Sequence, residues 1–170
     1  TWNKMREILL YWAGKDVDAF RCDMAEMVPV EFWGWVIPEI KKAHPDIEFI
    51  AEIYNPKTYQ LYIEQGKFDY LYDKVGVYDT VRELMSGNGN TAKIAAALDQ
   101  SNGFEEHMLR FLENHDEQRI ASEEFAGNYW SGVPGMTVSA LMGKGPVMIY
   151  FGQMSGEPGD GIEGFQKDDG

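Results

Sequence analysis

The sequence VDAFRCDMAEMVP (residues 17–29) predicts a short buried strand that ends on charged side chains. Because side chains alternate along a strand, Arg21 and Asp23 share one face of it. A nearby cation favours the ionised form of a carboxylic acid, and a nucleophile in covalent catalysis needs an ionised, oriented carboxylate. Taken alone, the pair is equally compatible with a structural ion pair at a strand end, since such pairs also occur without catalysis.

Two later stretches have the same form, an apolar run that ends on an acid. The stretch EFIAEIYNP (residues 48–56) carries Glu52, and the stretch MLRFLENHD (residues 108–116) carries Asp116. Three strand-like runs, each with an acid at its C-terminal end, indicate an enzyme built on parallel strands.

The three motifs together resemble those of the alpha-amylase family of glycoside hydrolases. FRCDMA is similar to the family's strand-four motif, IAEIYNP to its strand-five motif and FLENHD to its strand-seven motif, and they occur in the family's order. The resemblance spans the chain from about Trp2 to Gly152. It implies a TIM (β/α)8 barrel, of which residues 1–152 are the C-terminal part (strands four to eight) and residues 153–170 are the loop after the last barrel strand.

The length of the chain, 170 residues, is too small for a complete barrel of this kind, which needs about 250 residues. We therefore expect a piece of a larger protein. The family's strand-three motif, and the domain inserted between strands three and four, would then precede Thr1. The 170 residues alone are expected to form a weak or inactive enzyme and to fold with difficulty, because an open barrel piece exposes strand edges.

The net charge of −13 argues against nucleic acid or an anionic membrane surface as a partner. No apolar run of about 18 residues occurs, so no membrane-spanning helix is predicted. The single cysteine, Cys22, excludes a disulfide within the chain and does not decide the compartment. We favour an extracytoplasmic location only because the resemblance implies a polysaccharide-degrading enzyme.

Apolar periodicity and turn residues predict alternating strands and helices, hence an α/β fold with about five parallel strands and flanking helices. The predicted strands cover residues 17–22, 47–51, 68–73, 108–112 and 146–151. The predicted helices cover residues 1–13, 30–43, 55–65, 78–85, 91–98 and 130–142. Pro38 should kink or split the second helix, and residues 152–170 read as loop or disorder.

The resemblance assigns catalytic roles to three acids. It implies that Asp23 is the nucleophile and that Glu52 is the general acid/base, the two groups that lie about 5–5.5 Å apart in retaining glycosidases. The apolar strand end around Glu52 suits a group that must carry a proton. Asp116 matches the family's third carboxylate, which binds sugar hydroxyls and stabilises the distorted transition state.

Three further residues are candidates for substrate binding. Arg21 supports the nucleophile, and the resemblance implies that His115 hydrogen-bonds the sugar or orients the site. Tyr54 has two open interpretations, a ring that stacks on sugar and a core aromatic. Asn114 is expected to be a scaffold at the strand end. Arg119 is expected to be a solvated loop arginine, with a side chain that reaches the cleft as the alternative.

Neither a metal site nor a cofactor is predicted from these residues. Calcium stays open for the parent protein, but Glu26 and Met27 stand where many relatives carry Lys-His. This departure weakens the case for a calcium site that uses the segment, and for the sugar contact usually made there.

The leading hypothesis is a retaining hydrolase that cleaves α-1,4-glucosidic bonds in starch-like α-glucans or maltooligosaccharides through a glycosyl-enzyme intermediate. A transglycosylase or sugar isomerase of the same family is the first alternative. A non-catalytic, sugar-binding relative is the second, and the presence of all three carboxylates counts against it.

Overall fold

The computed structural model describes residues 1–159. Of the predicted loop at 152–170, residues 160–170 lie outside the described residues. The chain divides into two compact units, Thr1–Tyr72 and a second unit that starts at Asp73. Each unit is described by itself.

The first unit is a parallel three-stranded sheet with helices. Its elements are α1 (Trp2–Ala13), β1 (Ala19–Cys22), α2 (Val30–Ala43), β2 (Glu48–Ala51), α3 (Tyr59–Glu64) and β3 (Tyr70–Tyr72). Strand β2 pairs in parallel with β1 on one side and with β3 on the other, and Cys22 lies opposite Ala51. This register brings the residues that follow β1 and β2 to the same edge of the sheet.

The core of the first unit lies between the sheet and the inner face of α2. Val36 and Ile40 on that face are fully buried, as are Phe49 and Leu71 on the strands. Helix α2 covers the predicted range and runs through Pro38 without being split.

The predicted helix at 55–65 is confirmed with a different start. Residues Pro56–Thr58 form a 3-10 turn, and α3 begins at Tyr59. The side chain of Asn55 accepts a hydrogen bond from the Lys57 N–H at 3.2 Å. Asn55 therefore caps the turn, which is the usual role of asparagine at this position.

The second unit begins with a single π-helical turn, Lys74–Tyr78. Its further elements are α4 (Asp79–Met85), α5 (Ala92–Asp99), β4 (Met108–Leu109) and α6 (Tyr129–Leu141). Arg110, directly after β4, forms a parallel bridge with Val147. The Arg110 N–H donates to the Pro146 carbonyl at 2.9 Å, and the Met148 N–H donates to the Arg110 carbonyl at 2.8 Å.

The α/β class with parallel strands is confirmed, but the strands are shorter than predicted, and the last two differ most. Strand β4 ends at Leu109 rather than at residue 112. The predicted strand at 146–151 is reduced to the bridge at Val147, so residues 1–159 contain four strands instead of five. The physical reason is a local turn. The Tyr150 N–H donates to Oε1 of Gln153 and the Gln153 N–H donates to the Tyr150 carbonyl, both at 3.0 Å, which removes these groups from sheet pairing.

Each helix within residues 1–159 is too short or too polar to cross a membrane.

Candidate active site

Two carboxylates meet at the carboxyl edge of the sheet in the first unit. Asp23 follows β1 and Glu52 follows β2, and the backbones beside them are joined. The Glu52 N–H donates to the Cys22 carbonyl at 3.1 Å, and the Ala25 N–H donates to the Glu52 carbonyl at 3.0 Å. The parallel register therefore extends beyond the strands and fixes the two acids side by side.

Arg21 contacts both carboxylates. Its Nη1 donates to Oδ1 of Asp23 at 2.6 Å, and its Nη2 lies 2.9 Å from Oε2 of Glu52. Its guanidinium also lies over the Tyr72 ring, 5.4 Å from the centroid. Burial acts to lower the pKa of Arg21, but hydrogen bonds with Asp23 and Tyr72 outweigh it, so the pKa lies above its usual value. One permanent cation thus contacts both acids.

Glu52 is held by an ion pair with Arg21 and by two hydrogen-bond donors. Besides Arg21, the Tyr54 hydroxyl donates to Oε1 at 2.6 Å and the Met24 N–H donates to Oε2 at 2.7 Å. Met24 has left-handed backbone angles, φ 42° and ψ 47°. Positive φ is uncommon for a residue other than glycine, and such outliers cluster at active sites. This conformation accompanies the hydrogen bond from the Met24 N–H to Glu52.

The two acids differ sharply in exposure. The Asp23 side chain is 77% exposed, whereas that of Glu52 is 4% exposed. An open carboxylate next to a buried one suits two different chemical tasks, attack on an incoming atom and controlled proton transfer.

Tyr54 has a role that neither sequence interpretation included. Its hydroxyl binds Glu52, and its backbone N–H donates to Oε1 of Glu26 at 3.2 Å. Sequence reasoning therefore missed both Glu26, as a residue that fixes the Tyr54 backbone, and the hydroxyl of Tyr54, as a partner of the acid. No sequence signal pointed to the Glu26 contact, because 28 residues separate the two partners.

In the second unit, the Asn-His-Asp motif lies in a loop organised by its own asparagine. Oδ1 of Asn114 accepts hydrogen bonds from the N–H groups of Asp116 at 2.9 Å and Glu117 at 2.8 Å. Nε2 of His115 lies 3.4 Å from Oδ2 of Asp116, and the two side chains are 53% and 33% exposed. Asn114 is a scaffold, as predicted, and His115 and Asp116 form an accessible pair.

The expectation that Arg119 is a solvated loop arginine is wrong. Its side chain is 2% exposed, and its Nε lies 2.9 Å from Oε2 of Glu113, which is 1% exposed. Its Nη2 also donates to the Phe151 carbonyl at 2.7 Å. The physical reason is Glu113, a carboxylate buried in the same loop. A buried charge is costly unless it is paired, and Arg119 provides the opposite charge.

The structure thus brings Arg21, Asp23, Glu52 and Tyr54 together in the first unit, and His115 with Asp116 in the second. Within residues 1–159, no group of three or more His, Cys, Asp or Glu side chains is arranged to hold a metal ion.

Curated proteins resemble parts of this chain. An alpha-1,4-glucan:maltose-1-phosphate maltosyltransferase from Myxococcus xanthus is 25% identical over 146 residues, which are 85% of this chain and 18% of that protein. The enzyme of the same name from Picrophilus torridus is 35% identical over 71 residues, 42% of this chain and 11% of that protein. The chain thus spans less than a fifth of the length of these curated relatives.

Solved structures give a longer match. A cyclomaltodextrinase aligns with 98% of this chain and 29% of its own, with a TM-score of 0.83 and 21% identity. An alpha-amylase from Lactobacillus plantarum aligns with 89% of this chain and 38% of its own, with a TM-score of 0.69 and 26% identity. The predicted resemblance to the alpha-amylase family is confirmed, because the chain is similar to part of an alpha-amylase and to part of a cyclomaltodextrinase.

The fold class is therefore the predicted one, parallel strands with flanking helices that match part of a TIM-type barrel. No protein-family model matches the chain.

Proposed function

We propose that this protein is an alpha-amylase-family enzyme that acts on α-glucans by a retaining mechanism. The observation that carries the proposal is the bridge made by Arg21, which contacts Asp23 at 2.6 Å and Glu52 at 2.9 Å. A retaining glycosidase needs two neighbouring carboxyl groups, one as nucleophile and one as general acid/base. In this chain the first is open and the second is buried.

In the proposed reaction, Asp23 attacks the anomeric carbon of the sugar and forms a covalent glycosyl-enzyme. Glu52 gives its proton to the departing glycosidic oxygen, and later takes a proton from the acceptor that releases the sugar. Arg21 orients the Asp23 carboxylate, and the Tyr54 hydroxyl orients Glu52. Among the described partners of the Glu52 carboxylate, this hydroxyl is the one that can both donate and accept a hydrogen bond.

Asp116 and His115 are proposed to bind hydroxyl groups of the reacting sugar. Both side chains are accessible, and the backbone of Asp116 is fixed by Asn114. In glycoside hydrolysis, hydrogen bonds to sugar hydroxyls strengthen in the transition state. Together with distortion of the substrate, they stabilise the transition state by several kcal/mol. We further propose that residues 1–152 are the C-terminal part of a complete barrel, as the short coverage of the relatives suggests.

The acceptor that releases the glycosyl unit separates two candidate functions. Hydrolysis of α-1,4 bonds, with water as acceptor, is our first candidate. Hydrolysis as the reaction type is supported by a similar structure, that of a cyclic alpha-maltosyl-(1→6)-maltose hydrolase. Transfer to another glucan is the second, and is favoured by the sequence relatives, which are maltosyltransferases. The same two carboxylates serve both reactions.

The test uses the complete natural protein and two substrates, soluble starch alone and maltose-1-phosphate with a glucan acceptor. Short maltooligosaccharides from starch would identify the hydrolase, whereas phosphate release with glucan extension would identify the transferase. If protein shown to be folded formed neither product, the proposal would be contradicted.

Three variants then test the roles of the acids. Asp23→Asn and Glu52→Gln should each lower kcat by at least about 100-fold, the contribution typical of general acid–base or covalent groups. Glu7→Gln is the matched control, because Glu7 is an exposed acid of the first unit that forms a surface ion pair with Lys4 at 3.0 Å. Activity that survives Asp23→Asn would remove the nucleophile assignment.

A further inference from the structure

Three side chains in the first part of the second unit form a row that faces the loop of the Asn-His-Asp motif. Lys74, Tyr78 and Arg82 are spaced by four residues along the turn Lys74–Tyr78 and helix α4, so they share one side. The Tyr78 hydroxyl donates to Oε2 of Glu117 at 2.9 Å, and Nζ of Lys74 lies 3.2 Å from Oε1 of Glu117. Arg82 donates to the side-chain oxygen of Gln118.

These contacts lie largely out of the solvent. Tyr78 is fully buried, Gln118 is 5% exposed, and the Glu117 side chain is 18% exposed. Burial, together with the adjacent Glu117, raises the pKa of Tyr78, so its hydroxyl keeps its proton and stays a donor. A partly buried carboxylate held by a hydroxyl and an ammonium group is more constrained than a fully exposed ion pair.

Glu117 is connected directly to Asp116. The two residues are neighbours in sequence, and their backbone N–H groups share one acceptor, Oδ1 of Asn114. The backbone of Asp116 is therefore fixed by Asn114, and the side chain of the next residue, Glu117, is fixed by Tyr78 and Lys74. A displacement of Glu117 would move the peptide that carries Asp116.

We propose that Glu117, held by Tyr78 and Lys74, is a positioning residue that sets the location of Asp116 in the reaction. The inference rests on the proposed role of Asp116 in binding the sugar. Glu117 itself does not contact the sugar in this proposal. Its carboxylate joins the loop to the Lys74–Tyr78 turn and so restricts movement of the loop. An acid at this position can form the ion pair with Lys74, which a neutral polar residue cannot.

The experiment measures kcat and KM in the complete natural protein for Tyr78→Phe and Glu117→Gln. The first variant removes one hydroxyl, and the second keeps the size of the side chain while it loses the ion pair with Lys74. Each should lower kcat by about 10-fold, within the 100-fold that a misplacement of 1 Å can cost, with KM nearly unchanged. An interaction made mainly in the transition state behaves in this way.

The matched control is Glu83→Gln. Glu83 is an exposed acid of the same helix α4 that pairs with Lys93 at 2.8 Å and does not belong to the row. It should leave kcat and KM at the level of the unmodified protein. A comparable loss of kcat in Glu83→Gln would show that any perturbation of α4 lowers activity, and would overturn the inference.

A second background separates positioning from general damage to the fold. If Glu117 acts through Asp116, then Tyr78→Phe should cost less than about twofold when Asp116→Asn is already present, because coupled residues are not additive. A substrate with a good leaving group, nitrophenyl maltoside, keeps the residual rate measurable. A full 10-fold further loss would overturn the inference. If Asp116→Asn alone left activity intact, the proposed role of Asp116 would fail instead, and the two failures are thus distinguishable.

Discussion

At the scale of single residues, Cys22 shows what burial does to a reactive group. It is 8% exposed and lies next to Arg21 in β1. Burial raises the pKa of the Cys22 thiol to about 12, and the neighbouring Arg21 charge lowers it only in part. Since the thiolate is the nucleophilic form, we expect Cys22 to react with iodoacetamide at pH 8 far more slowly in the folded protein than in urea. Mass spectrometry of the alkylated chain measures this, and equal rates in both states would contradict it.

The same shift predicts how Cys22 affects stability at high pH. The folded chain keeps the proton up to about pH 12, whereas an ordinary thiol loses it near 9.0. Between these values the folded state binds more protons than the unfolded state, so this group makes the free energy of unfolding fall as pH rises. Cys22→Ala should make that fall shallower in urea unfolding measured from pH 9 to 11. If the free energy of unfolding fell equally steeply with pH in Cys22→Ala, the thiol would not contribute to this pH dependence.

The ion pair of Glu113 with Arg119 is predicted to be essential for stability. Both side chains are at most 2% exposed, and removal of one partner leaves an uncompensated buried charge, which costs about 3–5 kcal/mol. Arg119→Met should lower the free energy of unfolding by this amount in urea titration. The control is Lys93→Met, because Lys93 and Glu83 are 55% and 40% exposed, and such surface pairs contribute about 0–1 kcal/mol. An equal loss in the free energy of unfolding in both variants would show that burial does not determine how much an ion pair contributes.

At the scale of elements, α6 depends on its cap. The helix contains Gly132, Pro134 and Gly135, residues with poor helix propensity. Oδ1 of Asn128 accepts the Ser131 N–H at 2.9 Å and Nδ2 donates to Oγ of Ser131 at 2.9 Å. Asn128→Ala should therefore cost about 1 kcal/mol of stability.

The chain offers a matched control for this capping prediction. Thr1 stands at the cap position of α1, but its side chain makes no capping hydrogen bond. Thr1→Ala should therefore leave the midpoint of urea unfolding nearly unchanged. A loss in Thr1→Ala as large as that in Asn128→Ala would show that the side-chain hydrogen bond is not the cause.

At the scale of the whole molecule, both units carry large exposed apolar side chains. Tyr11 and Trp12 of α1 are 59% and 53% exposed in the first unit, and Trp130 and Phe151 are 78% and 76% exposed in the second. Large exposed apolar surface commonly marks an interface, which agrees with the proposal that residues 1–152 belong to a larger barrel. We expect the 170-residue chain alone to bind a hydrophobic dye and to hydrolyse starch weakly. Two-state unfolding with full starch hydrolysis by this chain alone would contradict the expectation.

The sequence by itself determined the features that depend on local order. Helical periodicity predicted α2 at its observed bounds, and the two-residue repeat of a strand placed Arg21 and Asp23 on one side. Apolar periodicity predicted the α/β class, and the barrel was implied by the resemblance of three motifs to those of the alpha-amylase family.

Only the tertiary structure decided which groups meet across long stretches of chain. The hydrogen bond from the Met24 N–H to Glu52, the burial of Arg119 against Glu113 and the contact of Tyr78 with Glu117 have no signature in periodicity. They depend on strand register and on the path of loops. These are set by the packing of the whole fold, because a polar group buried in the fold must find its partner wherever the chain brings one.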